Sequence, residues 1–180
     1  MAITKQNIER KSGCGIFNDC FNTHKMPLNP KYFLSLPNIL MKKIMHTTNY
    51  TNTFIEVAED CSTQQAEIPP QKGDNKTVAN IHFDIVAHNP YKFTSDDVIF
   101  QAFALKNALN PSELDTERAA FFLKGQPCMR CSPLTKRYGW GVHNNEEGKI
   151  AIFPKESVEY QQFAKDENLK HVKAMRSKRG

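Results

Sequence analysis

The chain has 180 residues, of which 39 % are hydrophobic and 24 % charged, with a formal charge of +5. That length suffices for one domain with its own core, and the composition is that of an ordinary globular chain, not a repeat array or a disulfide scaffold. No run of about 18 apolar residues exists, which excludes a membrane-crossing helix.

The opening residues lack the continuous apolar core of a secretory signal, so a cytoplasmic protein is expected. Its five cysteines, an odd number, are then read as reduced thiols. Charge is placed unevenly. Residues 1–44 carry seven Lys/Arg against Glu9 and Asp19, residues 45–123 carry 5 cations against 11 acids, and residues 124–180 carry 12 against 6. A field polarised in this way favours anionic partners at the cationic end.

Residues 1–44 show no sustained period of two or 3.6 and contain three prolines. They read as a disordered N-terminal extension, with one short amphipathic stretch at 32–45 broken by Pro37. Cys14, Cys20 and His24 match no common zinc spacing, and no metal is expected. Residues 45–180 read as a single domain with a basic C-terminal tail.

Within that domain the first element is a strand at 53–58, β-branched and aromatic. A proline-rich loop follows through 61–75. Val78, Ile81, Ile85 and Val86 fall on one helical face, with Thr77 as cap and Asn89-Pro90 as terminator. A second helix begins at Thr94 or Ser95 with Asp96 and Asp97 in its first turn, opposing the dipole. A third is expected over 112–125, capped by Ser112 and ended by Gly125. Three strands are expected at 127–134, 137–143 and 149–153. Gly148 supplies the positive φ of the hairpin turn between the last two. A helix at 157–165 and five cations from Lys170 to Arg179 close the chain. Strands and helices come in blocks, which predicts an α+β fold: a small antiparallel sheet of three to five strands with helices packed on one face.

Residues 124–154 hold the only tryptophan, two cysteines and four of the eight glycines. Arg130, Lys136, Arg137, Tyr138, Trp140 and His143 are the candidate ligand-binding residues. Arginine's planar fork suits a carboxylate or phosphate, and Gly139 and Gly141 permit a ligand, or a neighbouring element, to approach closely. Cys128 and Cys131 have C-x-x-C spacing, but no second pair exists to complete a zinc site. In an extended strand two residues three apart point to opposite faces, so structural thiols are the preferred reading over redox or metal. Asp96-Asp97 read as capping residues. The basic tail reads as a frayed, solvated end in preference to a nucleic-acid arm. Neither a glycine-rich phosphate loop, a G-x-S-x-G elbow nor an H-E-x-x-H is present, and no cofactor is expected.

The pieces NYTNTFIEVAEDC, IPPQK, NPYKFTSDDVIF, KGQPCMRCSPLTKRYGWGVHNNEEGKIA and VKAMRSKR, in that order, resemble an uncharacterised, mainly bacterial family of short proteins, domain of unknown function 6157. The resemblance covers roughly residues 45–180, leaves 1–44 outside, and carries no activity with it. It also implies that Cys131 is not a fixed feature of the family, since serine takes its place in some members.

These observations predict a small binding module for an anionic small molecule or an acidic protein segment at the 124–154 hairpin. One alternative is a small enzyme with His143 or Tyr138 as acid/base and Arg130 or Arg137 stabilising negative charge. The other is a protein-interaction or nucleic-acid-contacting module.

Overall fold

The structure is a computed structural model and describes residues 45–71 and 73–177. The expectations for residues 1–44, including the stretch at 32–45 and the Cys14/Cys20/His24 group, lie outside the described residues. So do Lys178 and Arg179 of the basic tail.

The architecture is α+β, as the block arrangement of elements predicts. Four strands, β1 (Thr53–Glu56), β2 (Trp140–Asn144), β3 (Ile150–Pro154) and β4 (Lys170–Lys173), form one sheet in the order β3-β2-β1-β4. β1 pairs antiparallel with β2, and β2 with β3, while β4 joins β1 in parallel. Five helices pack against it: α1 (Val78–Ala87), α2 (Ser95–Lys106), α3 (Leu114–Phe122), α4 (Pro133–Arg137) and α5 (Val158–Lys165).

The two-residue period of the strands divides the sheet's surroundings. Ile55, Val142 and Val172 share one face and join Val86, Val98, Ile99 and Met129 in the main core. Phe54, Gly141, His143 and Phe153 point the other way, where α5 covers them with Tyr160 and Phe163. α5 thus lies across the sheet from the α1–α2 layer.

Local chemistry accounts for the helix starts. Thr77 and Asn80 form a reciprocal capping box at α1, and Thr94 and Asp97 form another at α2, each satisfying two otherwise orphaned N–H groups. The apolar run of α2 is a helix and not a strand, with Val98, Ile99, Phe100 and Ala102 buried and Leu105 in solvent. At α3 the expected cap is displaced. Ser112 sits inside a 3-10 turn, Pro111–Glu113, and contributes no capping bond.

The hairpin between β2 and β3 turns at Gly148, whose φ is +74°, with its N–H donating to Asn145 O at 3.0 Å. The strand expected at 127–134 does not form. A 3-10 turn, Met129–Cys131, and then α4 occupy those residues, because Ser132 caps a helix that Pro133 opens.

The end of the chain is not frayed through residue 177. It makes β4, then Lys173 and Arg176 pair with Glu59 at 3.3 and 2.5 Å, and Ser177 N–H donates to Asp60 at 2.7 Å.

Gly141 is required by close packing. A Cβ there would lie 2.5 Å from Tyr160 Cε2 and 2.9 Å from Phe54 Cζ. The Tyr160 ring cannot swing aside without breaking the bond its Oη accepts from Val57 N–H at 3.0 Å. Gly141→Ala is therefore expected to lose about 1–3 kcal/mol by overpacking. Urea unfolding measures this, and an unchanged midpoint would contradict the packing account.

Candidate functional site

The six residues singled out by composition do not share one hollow. Trp140 is spent on the loop ahead of α1: its Nε1–H donates to Glu67 O at 2.8 Å, and its ring meets Phe83 edge-on at 5.2 Å. Tyr138 holds the same loop, its carbonyl accepting Glu67 N–H at 2.9 Å. Gly139, with φ +72°, lies beneath that loop, its Cβ position only 3.1 Å from Ala66 Cα.

His143 lies on the opposite face of the sheet from Trp140. Its Nδ1 is 2.9 Å from Tyr91 Oη and its ring stacks on Phe163 at 4.2 Å, in surroundings whose burial lowers its pKa. Arg137 is exposed. The remaining two, Arg130 and Lys136, come together at the cysteine turn, where their charges act on Cys128 and Cys131 respectively.

That turn is held from several sides. Cys131 N–H donates to Cys128 O at 2.8 Å, and Ser132 N–H to Met129 O at 3.1 Å. Buried Thr135 donates its hydroxyl toward Met129 O and Ser132 O, both at 3.0 Å. Arg130 ties the turn to the end of the sheet, its Nε–H donating to Lys173 O at 2.8 Å while its own carbonyl accepts Met175 N–H at 2.9 Å.

Cys128 is the extended N-cap of the 3-10 turn and Cys131 its last residue, and with the turn closed between them both line one pocket, the reverse of the strand expectation. Cys128 is half-buried and Cys131 exposed. The neighbouring Cys131 thiol, the Tyr50 hydroxyl at 3.6 Å, the Arg130 N–H and the Arg130 charge outweigh partial burial and bring the Cys128 pKa down to about 5. The Cys128 neighbour and burial raise the pKa of Cys131, the partner that keeps its proton. Among the described residues no group of three or more His, Cys, Asp or Glu gathers to hold a metal.

The turn forms one wall of a pocket of about 390 Å³. α1 contributes Val78 and His82, α2 contributes Ile99, Ala102, Phe103 and Lys106 with its C-cap Asn107, and α3 contributes Phe121. Gln126, Pro127, Cys128, Cys131, Ser132 and Pro133 complete it. Phe103 and Phe121 pack against each other at 4.6 Å. His82, 6 % exposed, has its Nδ1 3.0 Å from Ser132 Oγ, and burial drops its pKa to about 4, so it is neutral at physiological pH. Lys106 is the one Lys or Arg in this lining, which contains no Asp or Glu. Its Nζ donates to Lys76 O at 3.2 Å.

The residues of this pocket that composition did not single out are spread over α1, α2 and α3, and no local pattern joins them. A local signal for the turn did exist. Pro127 and Pro133 bracket 128–132, and Ser-Pro is a helix-start pair that argues against a strand.

Fold and site define a small α+β domain with an apolar pocket between its helices and a cysteine turn at the pocket wall. The chain belongs to a family of unknown function (DUF6157), whose profile matches residues 45–180. No curated protein and no solved structure matches it.

Proposed function

We propose that the domain is a binding module for a small molecule with an apolar body and an anionic group, taken up between α1, α2 and the cysteine turn. The reading rests on the composition of the pocket walls: aromatic and aliphatic side chains enclose a volume within the usual range for ligand sites, and Lys106 is uncompensated by any carboxylate in the lining. Burial of the apolar body supplies affinity, and the ammonium group selects the sign of the charge. The anionic preference inferred from charge polarity is kept, but the address moves from the β2–β3 hairpin to the helical layer.

The anionic fluorophore 1-anilinonaphthalene-8-sulfonate is the probe. Its emission should rise on titration into the folded protein. Val78→Trp is a pocket-filling change at a position 39 % exposed, so it fills the mouth without disturbing the core. It should weaken binding at least about tenfold, and Lys106→Gln about three- to tenfold. Binding that ignores Val78→Trp would overturn the pocket assignment.

A further inference from the structure

The cysteine turn has the features of a reactive dithiol as well as of a wall. Both sulfur-bearing side chains line the pocket. The Cys131 N–H to Cys128 O bond closes the turn between them, and its backbone is fixed further by Thr135, Ser132 and the Arg130–Lys173 contact. Tyr50 Oη stands 3.6 Å from Cys128 Sγ, and the Arg130 charge beside it favours a sulfur anion. A pair serving only to fill space has no need of this arrangement.

We propose that Cys128 and Cys131 form a dithiol that reduces the disulfide of a small apolar molecule entering the pocket, with Cys128 attacking and Cys131 resolving. The choice of substrate rests on the pocket reading above, whereas the pairing of the cysteines does not. In the first step the Cys128 thiolate attacks one sulfur of the substrate disulfide. A Cys128–substrate disulfide forms, and the other half leaves as a thiolate that takes a proton from water. Cys131 then gives its proton to solvent, beside the Lys136 charge, and attacks Cys128 Sγ. The Cys128–Cys131 bond forms and the second substrate thiolate departs. Two electrons pass from the protein dithiol to the substrate, and an excess of a small dithiol restores the reduced pair.

The test uses the full chain with Cys14, Cys20 and Cys61 replaced by serine, and 4,4′-dithiodipyridine as the aromatic disulfide. The expected result is two equivalents of thiopyridone released per chain and a product lighter by two hydrogens, with no adduct. This readout needs no change at either cysteine of the pair. Cys131→Ser keeps a hydrogen-bond donor but cannot resolve, so it should release one equivalent and retain one adduct. Low pH separates the two thiols best. At about pH 5.5 the larger thiolate fraction of Cys128 outweighs its lower intrinsic nucleophilicity, and Cys128→Ser should react roughly 20-fold more slowly.

A product bearing two adducts and no internal bond, or a Cys128→Ser protein reacting at the parent rate, would overturn the dithiol. The pocket's part is read separately. Val78→Trp should slow the aromatic disulfide by a larger factor than it slows 2-hydroxyethyl disulfide. If the two factors are equal, the substrate class fails while the dithiol stands.

Discussion

Acidification from about pH 6.5 to about pH 4 is expected to remove about 3 kcal/mol of folding stability through His82 alone. His82 is 6 % exposed and meets Ser132 Oγ at 3.0 Å, and its burial depresses its pKa from 6.5 to about 4. Between those two values the unfolded chain binds a proton at this site and the native protein does not. Stability therefore rises with pH across the window and is independent of this group above it. The full contribution is present at neutral pH and is lost as pH falls toward the folded-state value. His82→Gln keeps a group able to bond Ser132 and removes the titration. Urea unfolding of both proteins across the window should give curves that converge on acidification by about the stated amount. Parallel curves would show that His82 is not held neutral.

Asp96→Ala should cost about 3 kcal/mol, the largest single effect expected outside the apolar core. Asp96, 9 % exposed, accepts three bonds of 2.7 Å, from Thr48 N–H, Thr48 Oγ and Thr47 Oγ. Its own N–H donates to Asn49 Oδ1 at 2.9 Å. The carboxylate thus fastens residues 47 and 48 to the positive end of α2, and its removal orphans the buried Thr48 N–H and leaves the Thr48 hydroxyl with Ser95 Oγ alone, at 2.9 Å. Asp97 makes a different set of contacts, capping Thr94 and pairing with Arg118 at 2.7 Å where both are part-exposed, so Asp97→Asn should cost about 1 kcal/mol. Unfolding free energies rank the two, and fast hydrogen exchange at the Thr48 amide should accompany the first. Equal costs would contradict the division of labour.

That contrast shows what the sequence discloses. A capping box closes within four residues, so Thr77–Asn80 and Thr94–Asp97 leave a local trace, and the helices they begin can be read directly. The hairpin at Gly148 is legible for the same reason. Asp96 looked like a second capping residue, because its partners lie 47 to 49 residues away and no periodicity reports them.

The candidate residues of the 124–154 stretch were chosen from composition alone. Trp140, Gly139 and Gly141 are conspicuous in composition, yet the indole holds a loop and the glycines make room for Ala66 and Tyr160. Met129 and Leu134, both fully buried, gave 127–134 the apolar content of a strand, while Ser132-Pro133 pointed to a helix start. Giving the proline its weight would have placed both cysteines at one turn. The pocket itself had no sequence signature, since three helices must pack before it exists.

The sheet's connectivity bears on how the molecule is made. β1 emerges from the ribosome before every other described strand, yet its neighbours on either side are β2 and β4, the second and the last. Until β2 and β4 have been made its backbone N–H and C=O groups have no ladder to join, and an apolar segment centred on Phe54 and Ile55 stays uncovered. Closure of the sheet waits for β4, more than 100 residues after β1, and such long-range pairing makes folding comparatively slow.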